Sequence, residues 1–238
     1  MRQVRRQDAA PRWPGALAGV VARLVAGWTV VLLLVIGLGL LVTGALSRQW
    51  PLSVEDDAER GLQAARTPLL DRWTDAFSEV ADTVTIVGLC AVAVWVLRGR
   101  LRRWREALLV TATTIGQSAV FLSTTLVIDR ERPDVPHLDE APPTSSFPSG
   151  HSSAALALFG SLALVVYRCG GPPWLRRTVV VLLLAVPPLV MAGRMYRGMH
   201  HPSDVVGSLV VGGLVLLWSD RVLRSARLPE DGRGPDPP

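Results

Sequence analysis

The chain has 238 residues, 49% of them hydrophobic, and a formal net charge of +5. All 25 basic residues are arginines, gathered into short blocks between charge-poor runs close to the roughly 20 residues that span a bilayer. These arginines flank apolar runs and do not interleave with exposed aromatics, which excludes a nucleic-acid binder in favour of membrane topology. Cys90 and Cys169 have no metal-ligand spacing, which argues against a disulfide framework.

In chain order, residues 1–25 carry Arg2, Arg5, Arg6, Arg12 and Pro14 and read as a basic cytoplasmic tail. A first span covers Ala26–Leu46; its apolar run exceeds the roughly 7–15 residues of a signal-peptide core, so an uncleaved anchor is expected. Residues 47–75 mix acids and arginines and fit either an amphipathic helix at the outer surface or a solvated loop. The second span is Phe77–Leu97, followed by the basic block Arg98–Arg105. The third is Ala107–Ile128, whose Thr113, Thr114, Gln117 and Ser118 are expected to make interhelical hydrogen bonds. A fourth span follows His151 and ends at Tyr167. The fifth is Thr178–Ala192, with Pro187 and Pro188 expected to kink it. In the sixth, Val205–Trp218, Gly207, Gly212 and Gly213 would permit close packing. Residues 220–238 read as a disordered cytoplasmic tail. The expected fold is all-α, a six-transmembrane helical bundle over residues 26–219. The arginine blocks place both termini in the cytoplasm, and the 129–151 and 193–204 loops together on the extracytoplasmic face of a multi-pass cell-membrane protein.

Chemistry is concentrated in those two loops. The stretch Pro142–Ser153, PPTSSFPSGHSS, opens an apolar helix, where unpaired backbone N–H groups and the helix dipole favour an anion. Gly150 permits close backbone approach, and His151 stands where it can give a proton to whatever the anion is attached to. An ordinary helix cap with an incidental histidine is the alternative. The second loop, Gly193–Asp204, adds Arg194, His200 and Asp204, and the first adds Arg130 and Arg132. Ionisable groups gathered at a membrane interface are functional by default. Pro202 suits the first position of a helix, which puts Asp204 in the first turn. There it is placed to hold one nitrogen of His200 and leave the other free as a nucleophile. His137 and His201 read as loop or interface residues, and no cluster of carboxylates or histidines suggests a metal.

Arg132-Pro133, then Pro148-Ser149-Gly150-His151, then Arg194, His200 and Asp204 at their intervals resemble the type 2 phosphatidic acid phosphatase family, which shares its core with vanadium haloperoxidases. The resemblance covers residues 125–204. Two positions depart from the family pattern: Thr125 stands where the family has lysine, and Gly193 where it has serine. Arg130 either supplies the missing charge or is a solvated loop residue. The resemblance implies a metal-independent, cofactor-free membrane phosphatase acting on a lipid phosphate or diphosphate. It further implies that His200 attacks phosphorus to form a phosphohistidine, and that His151 protonates the leaving oxygen and later activates water. Arg132, Arg194, Ser149 and the Gly150 N–H would bind the non-bridging oxygens, a type of clamp that is usually the largest catalytic term. A non-catalytic protein that binds or translocates lipid phosphates is the alternative. A haloperoxidase is disfavoured, because those relatives are soluble and this chain has six apolar spans.

Overall fold

In the computed structural model, residues 13–47 and 49–226 are described. The described chain is eight α-helices joined by short turns and one long loop, with no strand among the described residues. Helix α1 (Trp13–Leu40) ends in a π-helical turn, Leu41–Ala45. Two shorter helices follow, α2 (Glu55–Ala64) and α3 (Pro68–Val80). Then come α4 (Thr83–Trp95), extended by a π turn to Arg100, α5 (Trp104–Thr125), α6 (Gly150–Arg168), α7 (Pro173–Tyr196) and α8 (Pro202–Ser225). Six of these, α1 and α4 to α8, are long and apolar enough to cross a membrane. The chain is a multi-pass membrane protein.

The helix starts follow local chemistry. Thr67 caps α3 ahead of Pro68, and Asp82 caps α4 by accepting from the Val84 N–H. Ser149 caps α6, and prolines take the first positions of α7 and α8, where a missing N–H costs nothing. The break at Ala81–Asp82 moves the second span: it begins at Thr83, and Phe77 belongs to α3, which packs against α7. Residues 47–75 thus contain helix α2 and part of α3. The first helix already runs from Trp13, so residues 13–25 extend it. Likewise α8 continues to Ser225, so Asp220, Arg221 and Arg224 are helical. Arg2, Arg5, Arg6 and Arg12, and the tail beyond Ala226, lie outside the described residues.

Helices α5, α6 and α8 form the centre, with α6 also packed along α7 and α8 also against α1. Gly212 lets α8 approach α6: an added Cβ would stand 2.9 Å from the Ser153 carbonyl. Gly207 plays the same part against the Phe147 ring, whereas a Cβ at Gly213 would meet nothing within 4 Å. Many large apolar residues, Leu33, Val84 and Leu217 among them, face outward, as a lipid-contacting surface requires. Polar ties close both ends. At one, Arg168 of α6 makes a bidentate pair with Asp220 of α8 at 2.6 and 2.8 Å. At the other, α3 is clamped to the end of α7: the Tyr196 hydroxyl donates to Asp71 and accepts from the Thr67 N–H. The long loop 126–149 and the α7–α8 turn meet at that second end.

Candidate active site

The α6 start and the α7–α8 turn are stitched together by backbone. The Ser149 N–H donates to the Asp204 carbonyl at 3.3 Å, and the Ser208 hydroxyl donates to the Ser149 carbonyl at 2.8 Å. Beside this junction is a cavity of about 300 Å³. Arg132, His151, Arg194, His200 and Gly150 line its polar end. Ala81 at the end of α3, Ile86 and Val87 of α4, Phe121 of α5 and Ala154 of α6 give it apolar walls. Four of the expected charged residues are therefore brought together from loop 126–149, α6, α7 and the α7–α8 turn.

His200 is 4% exposed, and its Nδ1 lies 2.8 Å from the Ser146 carbonyl. A carbonyl only accepts, so Nδ1 carries the hydrogen and the neutral ring keeps its lone pair on Nε2. Asp204 is farther away: its Oδ2 is 3.7 Å from Nδ1, too long for a hydrogen bond. The ring is thus oriented by Ser146, and the hydrogen bond expected from Asp204 goes elsewhere. Fully buried, Asp204 accepts from the His201 N–H at 2.8 Å and from Arg130. Burial holds the His200 pKa below its usual range; Asp204 opposes that shift, and Arg194 and Arg132 add to it.

Arg194 is 4% exposed and donates to Asp139 at 2.5 Å and to Ser78 at 3.3 Å, while its buried Nε has no partner among the described residues. A buried guanidinium N–H without an acceptor is costly. Arg132 is aimed by a 2.7 Å bond to the Met199 carbonyl, and burial lowers its pKa against the pull of Asp204.

Three expectations change. Arg130 does not line the cavity; buried carboxylates outcompete that site, and its guanidinium goes to Asp204, to Glu55 at 2.9 Å and to the Ser203 hydroxyl at 2.7 Å. Ser149 is fully buried as the α6 cap, its hydroxyl accepting from the Ser152 N–H and hydroxyl, so it does not face the cavity. Of the α5 polar residues, Gln117 does bridge helices, donating to Ser153 at 2.8 Å, but Thr113 bonds back to its own helix. Thr114, Gln117 and Ser118 also line the cavity. At the departures from the family pattern, the Thr125 hydroxyl returns to the Leu122 carbonyl, and a Cβ on Gly193 would meet Thr74 at an ordinary 3.6 Å. His137 Nε2 lies 3.1 Å from the Pro133 carbonyl, a loop contact.

Other residues of the site were not apparent from the sequence. Asp139 joins Arg194 to Arg197, accepting from Arg197 Nε at 2.8 Å. Burial alone would raise the Asp139 pKa; the hydrogen bond from Arg197 and the charge of Arg194 more than offset this and lower it. Arg197, three residues after Arg194 in the GRMYR run, was the available signal. Glu55 accepts from the Ser203 N–H at 2.7 Å from a charged stretch that gave no hint of burial. Outside the cavity, Asp56, Glu59 and His201 form a group whose ligand atoms all lie within 4.8 Å of one another. No spacing in the sequence pointed to such a metal-ligating set.

A family profile described as the PAP2 superfamily matches residues 103–227, which hold every residue lining the polar end of the cavity. The chain belongs to the PAP2 superfamily. Its fold is that of solved PAP2 relatives. A transmembrane PAP2-type phosphatidylglycerolphosphate phosphatase from Bacillus subtilis superposes with a TM-score of 0.69 at 20% identity, over 82% of this chain and 94% of that one. LpxE from Aquifex aeolicus gives 0.54 at 21% identity, over 68% and 92%. In sequence, the chain is 31% identical over 117 residues to the decaprenylphosphoryl-5-phosphoribose phosphatase of Mycobacterium tuberculosis. That match takes in 48% of this PAP2 chain and spans 59% of the relative's length.

Proposed function

We propose that the chain is a lipid phosphatase that hydrolyses a phosphate monoester or diphosphate by a phosphohistidine mechanism. The observation that carries this reading is the fixed tautomer of His200: Ser146 holds the Nδ1 hydrogen, which leaves the Nε2 lone pair for attack in a cavity lined by two arginines. Nε2 attacks phosphorus, the P–O bond to the lipid breaks, and protonated His151 gives its proton to the leaving oxygen. Water then attacks the phosphohistidine with His151 taking its proton, releasing phosphate and restoring His200. Arg194 and Arg132, with the Gly150 N–H, hold the non-bridging oxygens. The chemistry uses no metal.

The apolar walls from α4, α5 and α6 suit a hydrocarbon tail, and the related enzymes are named for phosphorylated lipids. The arginine blocks at the Arg98–Arg105 and Arg168–Arg177 turns support an orientation with the opposite end, and the cavity, outside the cytoplasm. Detergent-purified protein given phosphatidate, phosphatidylglycerol phosphate and a polyprenyl diphosphate should release phosphate from at least one and accumulate an acid-labile phosphoprotein. Tight binding of all three with no release would assign the site to lipid recognition instead.

A further inference from the structure

A second polar cavity, of about 560 Å³, lies at the same end of the bundle. Its charged lining is Glu55, Asp56, Asp129 and Glu131 against Arg130 and His201, and Arg130 is already committed to Glu55 and Asp204. At its edge, Asp56 and Glu59 stand one turn apart on α2 and face His201, the cap of α8. Glu59 is 2% exposed, and its Oε1 lies 2.5 Å from His201 Nδ1, a buried ion pair. Each atom of that pair is also a metal donor, so a divalent cation can take the place of the proton they share.

We propose that Asp56, Glu59 and His201 bind a divalent transition-metal ion, with Zn²⁺ as the fitting case, at a site separate from the catalytic cavity. Two carboxylates and one imidazole match the ligands that Zn²⁺ takes, and three protein ligands leave positions for water from the cavity. Metal–ligand distances near 2 Å set neighbouring donor atoms about 3 Å apart, so Glu59 and His201 need to part only slightly. His201 Nε2 lies 3.2 Å from the Glu131 carbonyl, the outer contact that fixes a ligating imidazole. The ion would tie α2 to the start of α8. Because the His201 N–H also holds Asp204, it would stiffen the turn that carries His200 without touching substrate.

The test is Zn²⁺ binding to the full chain in detergent, stripped with EDTA and freed of chelator, followed by calorimetry and thermal unfolding. One equivalent should bind, and a hundredfold excess over the dissociation constant should raise Tm by about 5–10 °C. Asp56→Asn, at an exposed position, should weaken binding by about tenfold or more, and His201→Gln should abolish it. His151→Gln, in the catalytic cavity, should bind Zn²⁺ as the parent does. Stoichiometric uptake undiminished in Asp56→Asn and His201→Gln, or no uptake by the parent, overturns the proposal. Phosphate release measured on the same samples judges the phosphatase reading separately, since that chemistry does not pass through this site.

Discussion

Arg130 separates two accounts of this end of the molecule. As a phosphate ligand, its loss would raise KM and leave stability alone. The structure instead places it between Glu55, 7% exposed, and Asp204, fully buried. Arg130→Met would leave two buried carboxylates facing each other without a counter-charge. Breaking a buried pair this way costs about 3–5 kcal/mol. For a chain of this length each kcal/mol moves Tm by about 2–4 °C, so a fall of about 6–20 °C is expected. Glu55→Gln keeps the Arg130–Asp204 pair neutral and weakens one charged hydrogen bond at the α8 start, about 1–3 kcal/mol. The double variant should be milder than the sum by about 0.5–3 kcal/mol, because removing Glu55 also removes one of the stranded charges. The assay is thermal unfolding of each variant in detergent beside its KM and kcat. An unchanged Tm in Arg130→Met together with a KM raised tenfold would refute this reasoning and return Arg130 to the substrate.

His200→Ala should abolish turnover of every substrate and the trapped phosphoenzyme, while His151→Ala should lose about 10²–10⁴-fold on lipid substrates and much less on p-nitrophenyl phosphate, whose leaving group needs no proton. Equal impairment of His151→Ala with all leaving groups would contradict its role as acid. A cysteine at exposed Glu140 should be labelled by an impermeant reagent in intact cells, and one at Arg102 should not; the reverse pattern would put the cavity in the cytoplasm. Because the Asp139 pKa is lowered on folding, its contribution is fully present above the unfolded value near about 4 and is lost as pH falls through the folded value. The Tm gap between the parent and Asp139→Asn should therefore hold steady from neutral pH down to about 5 and close below about 4; a gap that widens with acid would mean the carboxylate is not held by Arg194 and Arg197.

What the sequence determined by itself was whatever depends on composition and local spacing. Apolar runs of bilayer length give six helices whatever their neighbours, because lipid offers the backbone no other partner. Pro-Ser-Gly-His at a helix start, and Arg, His and Asp at fixed intervals around Pro202, carry the site in one dimension, since each motif lies on one local element. Tertiary structure decided how competing polar groups pair. Whether Arg130 meets a phosphate or Asp204, and whether Asp204 or the Ser146 carbonyl holds His200, depends on where loop 126–149 crosses the α7–α8 turn. No local pattern encodes that crossing. Glu55, Glu59 and Asp139 looked like solvated charges for the same reason: their stretches are polar, and only the docking of α2 on the start of α8, and of loop 126–149 on the end of α7, brings them against partners far away in the chain.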